Sequence, residues 1–469
     1  MRRLFALVAL VAAAPLAAQQ QPFMQGFTDA FTPAEFAARR AKVMDKIGDG
    51  IAVIQGSAEW PAYLAFRQNA QFFYLTGVEA PRAVLVIDGK RHTSTLILPA
   101  TYRLANSEGP MLVAGDDARR ITGIDQVVAK DSVIPLLTKL AAEGRQFYAP
   151  FRSESRNAGA KEQSTGFDRA NATDPLDGRP SREKVLVDKL NSLSGKTTQD
   201  LDPILDGLRM IKSPAEIAAM REAARIAQMG LMEAMRSAHP GMYEYQLAAV
   251  ADFEFRNANA QGPAYFALAS TGTNAAWPHY HATSGKLGAS EMVLFDYAPD
   301  YKYYQSDVTR EFPSNGKFTP RQREMYTIYL RLFQAVEQSM KTGVAPRDIS
   351  KAASVKMDTI MAHFTFTDPK IKDAAQRMVE SYRNPRGNTL GHMVGLETHD
   401  ASLPYEVLLP GMVFTIEPAM TIPDERVYIR LESVYVVTEK GVENISTMAP
   451  VEPDAIEKLM KEIGIGKKR

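Results

Sequence analysis

Four acidic residues stand where the chain otherwise reads as β-strand. Val293-Leu294-Phe295 is an apolar run that leads straight into Asp296, and Asp307 follows eleven residues later within Gln305-Ser306-Asp307-Val308-Thr309-Arg310. If Pro299-Asp300-Tyr301 marks a turn, the two strands fold back with facing positions summing to 603, which sets Asp296 opposite Asp307. Facing residues have Cβ atoms roughly 5 Å apart, and two carboxylates that close repel unless they share a proton or a cation. Glu417 ends Met412-Val413-Phe414-Thr415-Ile416 and is followed by Pro418, which cannot donate to a central ladder. Glu432 closes Tyr428-Ile429-Arg430-Leu431-Glu432, where a period of two puts Tyr428, Arg430 and Glu432 on one face and Ile429 and Leu431 on the other. Aspartate is depleted in strand interiors, and acidic groups are rarely buried unless paired. The fold therefore either leaves these four on unrelated exposed surfaces or turns them inward around positive charge.

Histidine placement favours the second arrangement. Of seven histidines, four fall in two tight groups, His279-Tyr280-His281 before the first acidic strand and Gly391-His392-Met393-Val394-Gly395-Leu396-Glu397-Thr398-His399 before Glu417. One imidazole among four carboxylates suits two hard divalent ions about 3.5–4 Å apart, bridged by a water that they acidify. There is no cysteine, so a disulfide scaffold, a zinc ribbon and a thiol nucleophile are excluded. With 55 Lys+Arg against 54 Asp+Glu there is no basic excess to drive nucleic-acid binding.

The 469 residues are enough for two or three domains. Met1-Arg2-Arg3, an apolar run from Leu4 to Ala14 and the small-residue exit at Ala17-Ala18 read as a secretory signal over residues 1–18, so the mature protein is expected to be exported, periplasmic or secreted. The run is too short to span a bilayer core of about 30 Å, and no membrane insertion is expected. Thr32-Pro33-Ala34-Glu35 opens a helix, and the β-branched runs at 50–54 and 83–87 are buried strands, which makes residues 19–205 an α/β domain. From Arg152 to Arg182 the composition turns to Ser, Gly, Asn, Asp and Pro, as in a long surface loop. Ser213-Pro214-Ala215-Glu216 is a capping box that starts a long amphipathic helix, and strands are expected at 292–297, 302–311, 412–417 and 427–437. Residues 206–469 thus form an α+β domain with antiparallel sheet.

These segments resemble the pita-bread metallopeptidases, and within them the proline-specific aminopeptidase P branch. The resemblance is carried by Asp296-Tyr297-Ala298, Asp307-Val308-Thr309-Arg310-Glu311-Phe312, Asn315-Gly316-Lys317-Phe318-Thr319-Pro320, Gly391-His392, Ile416-Glu417-Pro418 and Ile429-Arg430-Leu431-Glu432. The N-terminal stretch Phe66-Arg67-Gln68-Asn69-Ala70-Gln71-Phe72-Phe73-Tyr74-Leu75-Thr76-Gly77 is similar to that family's creatinase/prolidase-type first domain. The resemblance implies that Asp296 binds one metal, that Asp307 and Glu432 bridge both, and that His392 and Glu417 complete the second. It further implies Glu417 as general base, His279 and His399 as histidines that orient substrate and stabilise the tetrahedral intermediate, and Arg430 as support for the bridging glutamate. The implied cofactor is a pair of divalent ions, manganese first, with cobalt or zinc accepted by the same ligands. The implied partner is a peptide with proline in second position, and the implied assembly a homo-oligomer, dimer or tetramer.

One departure is Asn388, where the branch often has a second histidine four residues before the ligand histidine; another is Tyr297 after the first aspartate, where a small residue often stands. Both bear on proline preference more than on metal chemistry. The competing functions are an Xaa-Pro dipeptidase of the prolidase type, an aminopeptidase of broader specificity and a non-catalytic peptide-binding protein on the same fold. All five ligand positions carry competent side chains, which disfavours the last.

Overall fold

The computed structural model describes residues 26–59, 65–102, 111–154 and 161–467. The signal expected over residues 1–18 lies outside them. Among the described residues no helix is long and apolar enough to cross a membrane.

Thr32 caps helix α1 (Pro33–Ile47), its hydroxyl accepting from the Glu35 amide at 3.4 Å. Glu35 itself reaches away from the cap, to Arg39 and to the Ser213 hydroxyl at 2.7 Å in the second half of the chain. Helix α2 (Ala70–Thr76) precedes the first sheet's β2 (Val84–Asp88) and β3 (Thr93–Leu98), with β1 (Ile51–Gln55) before it. Beyond these come α3 (Asp116–Thr122), β4 (Gln126–Ala129), α4 (Val133–Ala142), β5 (Phe147–Ala149), α5 (Lys161–Thr173), α6 (Arg182–Ser194) and β6 (Gln199–Asp200). The sheet order is β4-β3-β2-β1-β5-β6, antiparallel through β1, β2 and β3 and parallel outside them. Alternate residues of β1 feed two cores: Ala52 and Ile54 pack with α1 and α2, while Ile51 and Val53 pack with Leu137 and Leu140 of α4 and Leu190 of α6. This is the expected α/β domain, a sheet covered on both faces. The stretch 152–182 is not loop throughout, because α5 occupies thirteen of its residues.

Helix α7 (Asp202–Met210) leads to α8 (Pro214–Ser237), which starts with the expected capping box: the Ser213 hydroxyl accepts from the Glu216 amide and the Glu216 carboxylate accepts from the Ser213 amide at 2.9 Å. Helix α9 (Glu244–Asn257) packs back on α8. Strands β7 (Gly262–Pro263), β8 (Leu268–Thr271), β9 (Met292–Asp296), β10 (Pro299–Tyr301), β11 (Tyr304–Gln305) and β12 (Thr309–Pro313) follow, then α10 (Pro320–Glu337), α11 (Pro346–His363) and α12 (Pro369–Arg383). The chain ends with β13 (Val413–Ile416), β14 (Ala419–Ile422), β15 (Val427–Arg430), β16 (Ser433–Thr438), β17 (Gly441–Asn444) and α13 (Pro453–Leu459). All pairing here is antiparallel, in the groups β12-β9-β8, β11-β10-β7, β13-β16-β17 and β14-β15. The α+β expectation for this half holds.

Three details differ from the sequence reading. The turn is at Lys302-Tyr303, both with positive φ, so the register sums to 605 and Asp296 faces Thr309. The expected strand 302–311 is broken at 306–308, which places Asp307 in irregular backbone diagonal to Asp296. The expected strand 427–437 divides at Leu431-Glu432, where the chain passes from pairing with β14 to pairing with β13. Both breaks put a carboxylate between paired strand segments.

Candidate metal centre

Asp296 ends the central strand β9, paired with Leu268 on one side and Thr309 on the other. Asp307, two residues before β12, lies on the same side, and the Tyr265 hydroxyl lies between the two: it stands 2.6 Å from Asp296 Oδ1 and 2.8 Å from Asp307 Oδ1. Glu432 is brought in by its amide, which donates to Thr309 O at 3.1 Å, and its Oε2 accepts from the Thr309 hydroxyl at 2.8 Å. Arg310, fully buried, locks this crossing by donating to the carbonyls of Thr309, Glu432 and Ser446. Asp296, Asp307 and Glu432 are all buried.

Gly391 permits the next ligand. A Cβ there would lie 2.0 Å from the Thr415 carbonyl, so only glycine lets the loop lie against β13, where Thr415 N–H reaches His392 O at 2.9 Å. The His392 Nδ1 faces Met393 O at 3.1 Å, which leaves Nε2 pointing into the cluster. That nitrogen is 3.4 Å from Asp307 Oδ2, 3.4 Å from Glu417 Oε1 and 3.8 Å from Glu432 Oε1. One ligand atom from each of Asp307, His392 and Glu432 falls within 4.8 Å of the others. Glu417, with 29% of its side chain exposed, is the most open of the four carboxylates.

Arg430 holds the outer pair, donating from Nη2 to Asp296 and from Nη1 to Glu417 Oε2 at 3.1 Å. Its burial alone would lower its pKa, but Asp296, Glu432 and Glu417 together hold it well above the ordinary value. For Asp307, burial and then the charges of Asp296 and Glu417 push the carboxyl well up; for Glu432, burial and then Asp307 and Glu417 do the same. A single guanidinium cannot balance four converging carboxylates, and Glu432 Oε1 is buried with no hydrogen-bond partner among the described residues. An oxygen-rich set with one imidazole and an orphaned carboxylate oxygen is what a hard divalent cation takes. The residues present fit such an ion.

The His399 ring stacks on that of His392, centroids 3.8 Å apart and 13° from parallel. Burial, then the neighbouring His392 and His279, push its pKa down to about 3. His279 is exposed on the loop between β8 and β9, and His281 Nδ1 contacts its carbonyl at 3.1 Å. Asn388 ties its own loop to a second one and to the start of α11, donating to the carbonyls of Tyr405 and Glu406 and accepting from the Arg347 amide. Tyr297 turns away from the cluster and donates to Asp252 at 2.8 Å. The structure thus brings Asp296, Asp307, His392, Glu417, Glu432 and Arg430 into one connected cluster, with His399 against His392. Tyr265, Thr309 and Arg310 escaped sequence reasoning. The first lies in Pro263-Ala264-Tyr265-Phe266 with no periodic or acidic signal, and the others read as ordinary strand residues.

Residues 218–439 match metallopeptidase family M24, and residues 36–148 match the aminopeptidase P N-terminal domain. The chain is 29% identical to an Xaa-Pro aminopeptidase of Escherichia coli over 91% of this chain and 97% of that protein. It is 28% identical to the mitochondrial intermediate cleaving peptidase 55 of Arabidopsis thaliana, over 91% of this chain and 82% of that one. Among solved structures it is similar to aminopeptidase P from E. coli with the inhibitor Pro-Leu, at a TM-score of 0.71 and 26% identity. The aminopeptidase PepP of Pseudomonas aeruginosa gives a TM-score of 0.74, also at 26% identity. Each covers 92% of this chain and 98% of the solved one.

Proposed function

With residues 218–439 forming a domain of metallopeptidase family M24 behind an aminopeptidase P N-terminal domain, we propose that this chain is an Xaa-Pro aminopeptidase. In this reading it uses two divalent ions to remove the residue before an N-terminal proline. The observation that carries the reading is the convergence of Asp296, Asp307, His392, Glu417 and Glu432 around an orphaned buried carboxylate oxygen. We take residues 19–205 and 206–469 as the two domains and the mature protein as exported.

Two divalent ions, manganese in our reading, held by these five side chains would polarise the scissile carbonyl and lower the pKa of an attacking water. Glu417, the most open carboxylate, takes the proton of the attacking water and passes it to the proline nitrogen as the amide breaks. Arg430 keeps Glu417 and Asp296 in place through both of its terminal nitrogens, so the base cannot swing away when it is protonated. To His279 and His399 we assign donation to the oxygen on which negative charge develops.

The test compares Xaa-Pro with Xaa-Pro-Yaa peptides on protein purified without chelator. We expect turnover of the tripeptides and release of the first residue; cleavage of dipeptides only would make the protein a dipeptidase instead. Elemental analysis should find two divalent ions per chain, reduced in Asp307→Ala together with a loss of activity of at least about a thousandfold. Protein recovered from its native host should begin at Gln19.

A further inference from the structure

The segment from Thr271 to Gly285 carries His279 half-way along, and one side chain closes its two ends into a ring. Glu244, the first residue of α9, is completely buried. Its Oε1 accepts from the Thr271 amide at 2.8 Å and from Asn274 Nδ2 at 3.0 Å, and its Oε2 accepts from the Gly285 amide at 2.7 Å. Backbone bonds double the closure, from Glu244 N to Gly285 O at 2.9 Å and from Tyr245 N to Thr283 O at 2.9 Å. The approach is so close that a Cβ at Gly285 would meet Asn274 Nδ2 at 2.7 Å and Glu244 Oε1 at 2.8 Å. Three donors from both ends of one loop therefore converge on a single carboxylate. A neutral amide in its place would have to turn its own NH2 toward at least one of them.

His279 at the apex is exposed, and its imidazole has no hydrogen-bond partner among the described residues. Nothing on the His279 imidazole itself anchors the loop, so its place depends on how the loop's ends are held. We infer that Glu244 is a positioning residue for the reaction: by clamping Thr271, Asn274 and Gly285 it fixes the loop that presents His279 to the substrate. This rests on the peptidase reading above and assigns to α9, outside the carboxylate cluster, a part in its catalysis.

The test is a double-mutant cycle with Glu244→Gln, His279→Ala and both, measured on an alanyl-prolyl tripeptide with saturating manganese. Glu244→Gln alone should lower kcat about tenfold or more, with metal content unchanged. In the His279→Ala background the same substitution should change kcat by less than about twofold. Amide hydrogen exchange without substrate should quicken across residues 272–285 in Glu244→Gln and stay at the wild-type rate in β9 and β12. An equal loss in both backgrounds, or unaltered exchange in the loop, would overturn the inference. If Glu244→Gln does not fold, Asn274→Ala removes one of the three donors and enters the same cycle with the same expected pattern. Absence of turnover by the metal-loaded wild type would instead overturn the peptidase reading, so the two failures are distinguishable.

Discussion

Tyr265 does at residue scale what the five proposed ligands cannot do for themselves. Its hydroxyl contacts Asp296 and Asp307 at 2.6 and 2.8 Å, and burial followed by the charges of those two aspartates raises its pKa well above that of a free tyrosine. The hydroxyl's one proton is shared between the two carboxylates and orients them without competing for their outer oxygens. Groups that orient ligands in this way are worth about 10–100-fold in metal affinity or activity. Tyr265→Phe keeps the ring, its packing near Tyr297 and the fold, and removes only the proton donor. We expect the affinity for divalent ions to fall by about one order of magnitude, with a thermal midpoint close to wild type in the metal-free protein. Isothermal titration of chelator-treated protein measures this, and an unchanged affinity would show that Asp296 and Asp307 are held by the backbone and Arg430 alone.

At the scale of elements, much of the site is legible in the sequence because strand sequences announce their own buried carboxylates. Asp296 follows an unbroken apolar run and Glu417 ends one, so both stand out in the order of residues alone. The pairing does not, because the turn at Lys302-Tyr303 contains none of the glycine or asparagine that usually mark positive φ. Its backbone is held by tertiary contacts: Tyr303 stacks on Phe73 of α2 with centroids 3.7 Å apart, and its hydroxyl accepts from the Gln68 amide. Local sequence cannot report a turn that the other domain enforces. Tyr265 and Glu244 are hidden for a related reason, since each acts on residues dozens of positions away. Gly391 lies between these cases, visible in the motif while its cause, the Thr415 carbonyl packed against it, is remote in sequence. Gly391→Ala drives a Cβ into that carbonyl, a backbone atom that cannot rotate aside. The loop must then move off β13 and take His392 Nε2 away from Asp307 and Glu417. Overpacking of this kind costs about 1–3 kcal/mol, and we expect folded protein with weakened metal binding. Metal titration alongside circular dichroism separates that outcome from simple unfolding.

Across the whole molecule, the two domains are joined by charges as well as by apolar contact, and one of these charges titrates in the physiological range. Arg67 from the first domain pairs with Asp300 of β10, donates to Leu396 O at 3.1 Å in the loop that carries His399, and lies 4.4 Å above the Tyr303 ring. Glu79 stands in the same junction. Burial, only partly offset by Arg67, together with the charges of Asp300 and Asp29, pushes its pKa up from 4.5 to about 7. A carboxyl whose pKa is higher in the folded than in the unfolded state binds more protons when folded. Its contribution is therefore fully present below pH 4.5 and is lost as pH rises to about 7. At about 1.4 kcal/mol per unit, the loss amounts to about 3–4 kcal/mol. Glu79→Gln keeps a neutral side chain of the same shape at every pH, so it should change stability by less than about 1 kcal/mol at pH 5 and raise it by about 3 kcal/mol at pH 8. Thermal unfolding of wild type and variant across that range tests this directly, because the difference between the two curves cancels every other titrating group. Parallel curves would mean that Glu79 stays ionised in the folded protein, with Arg67 outweighing burial at the junction.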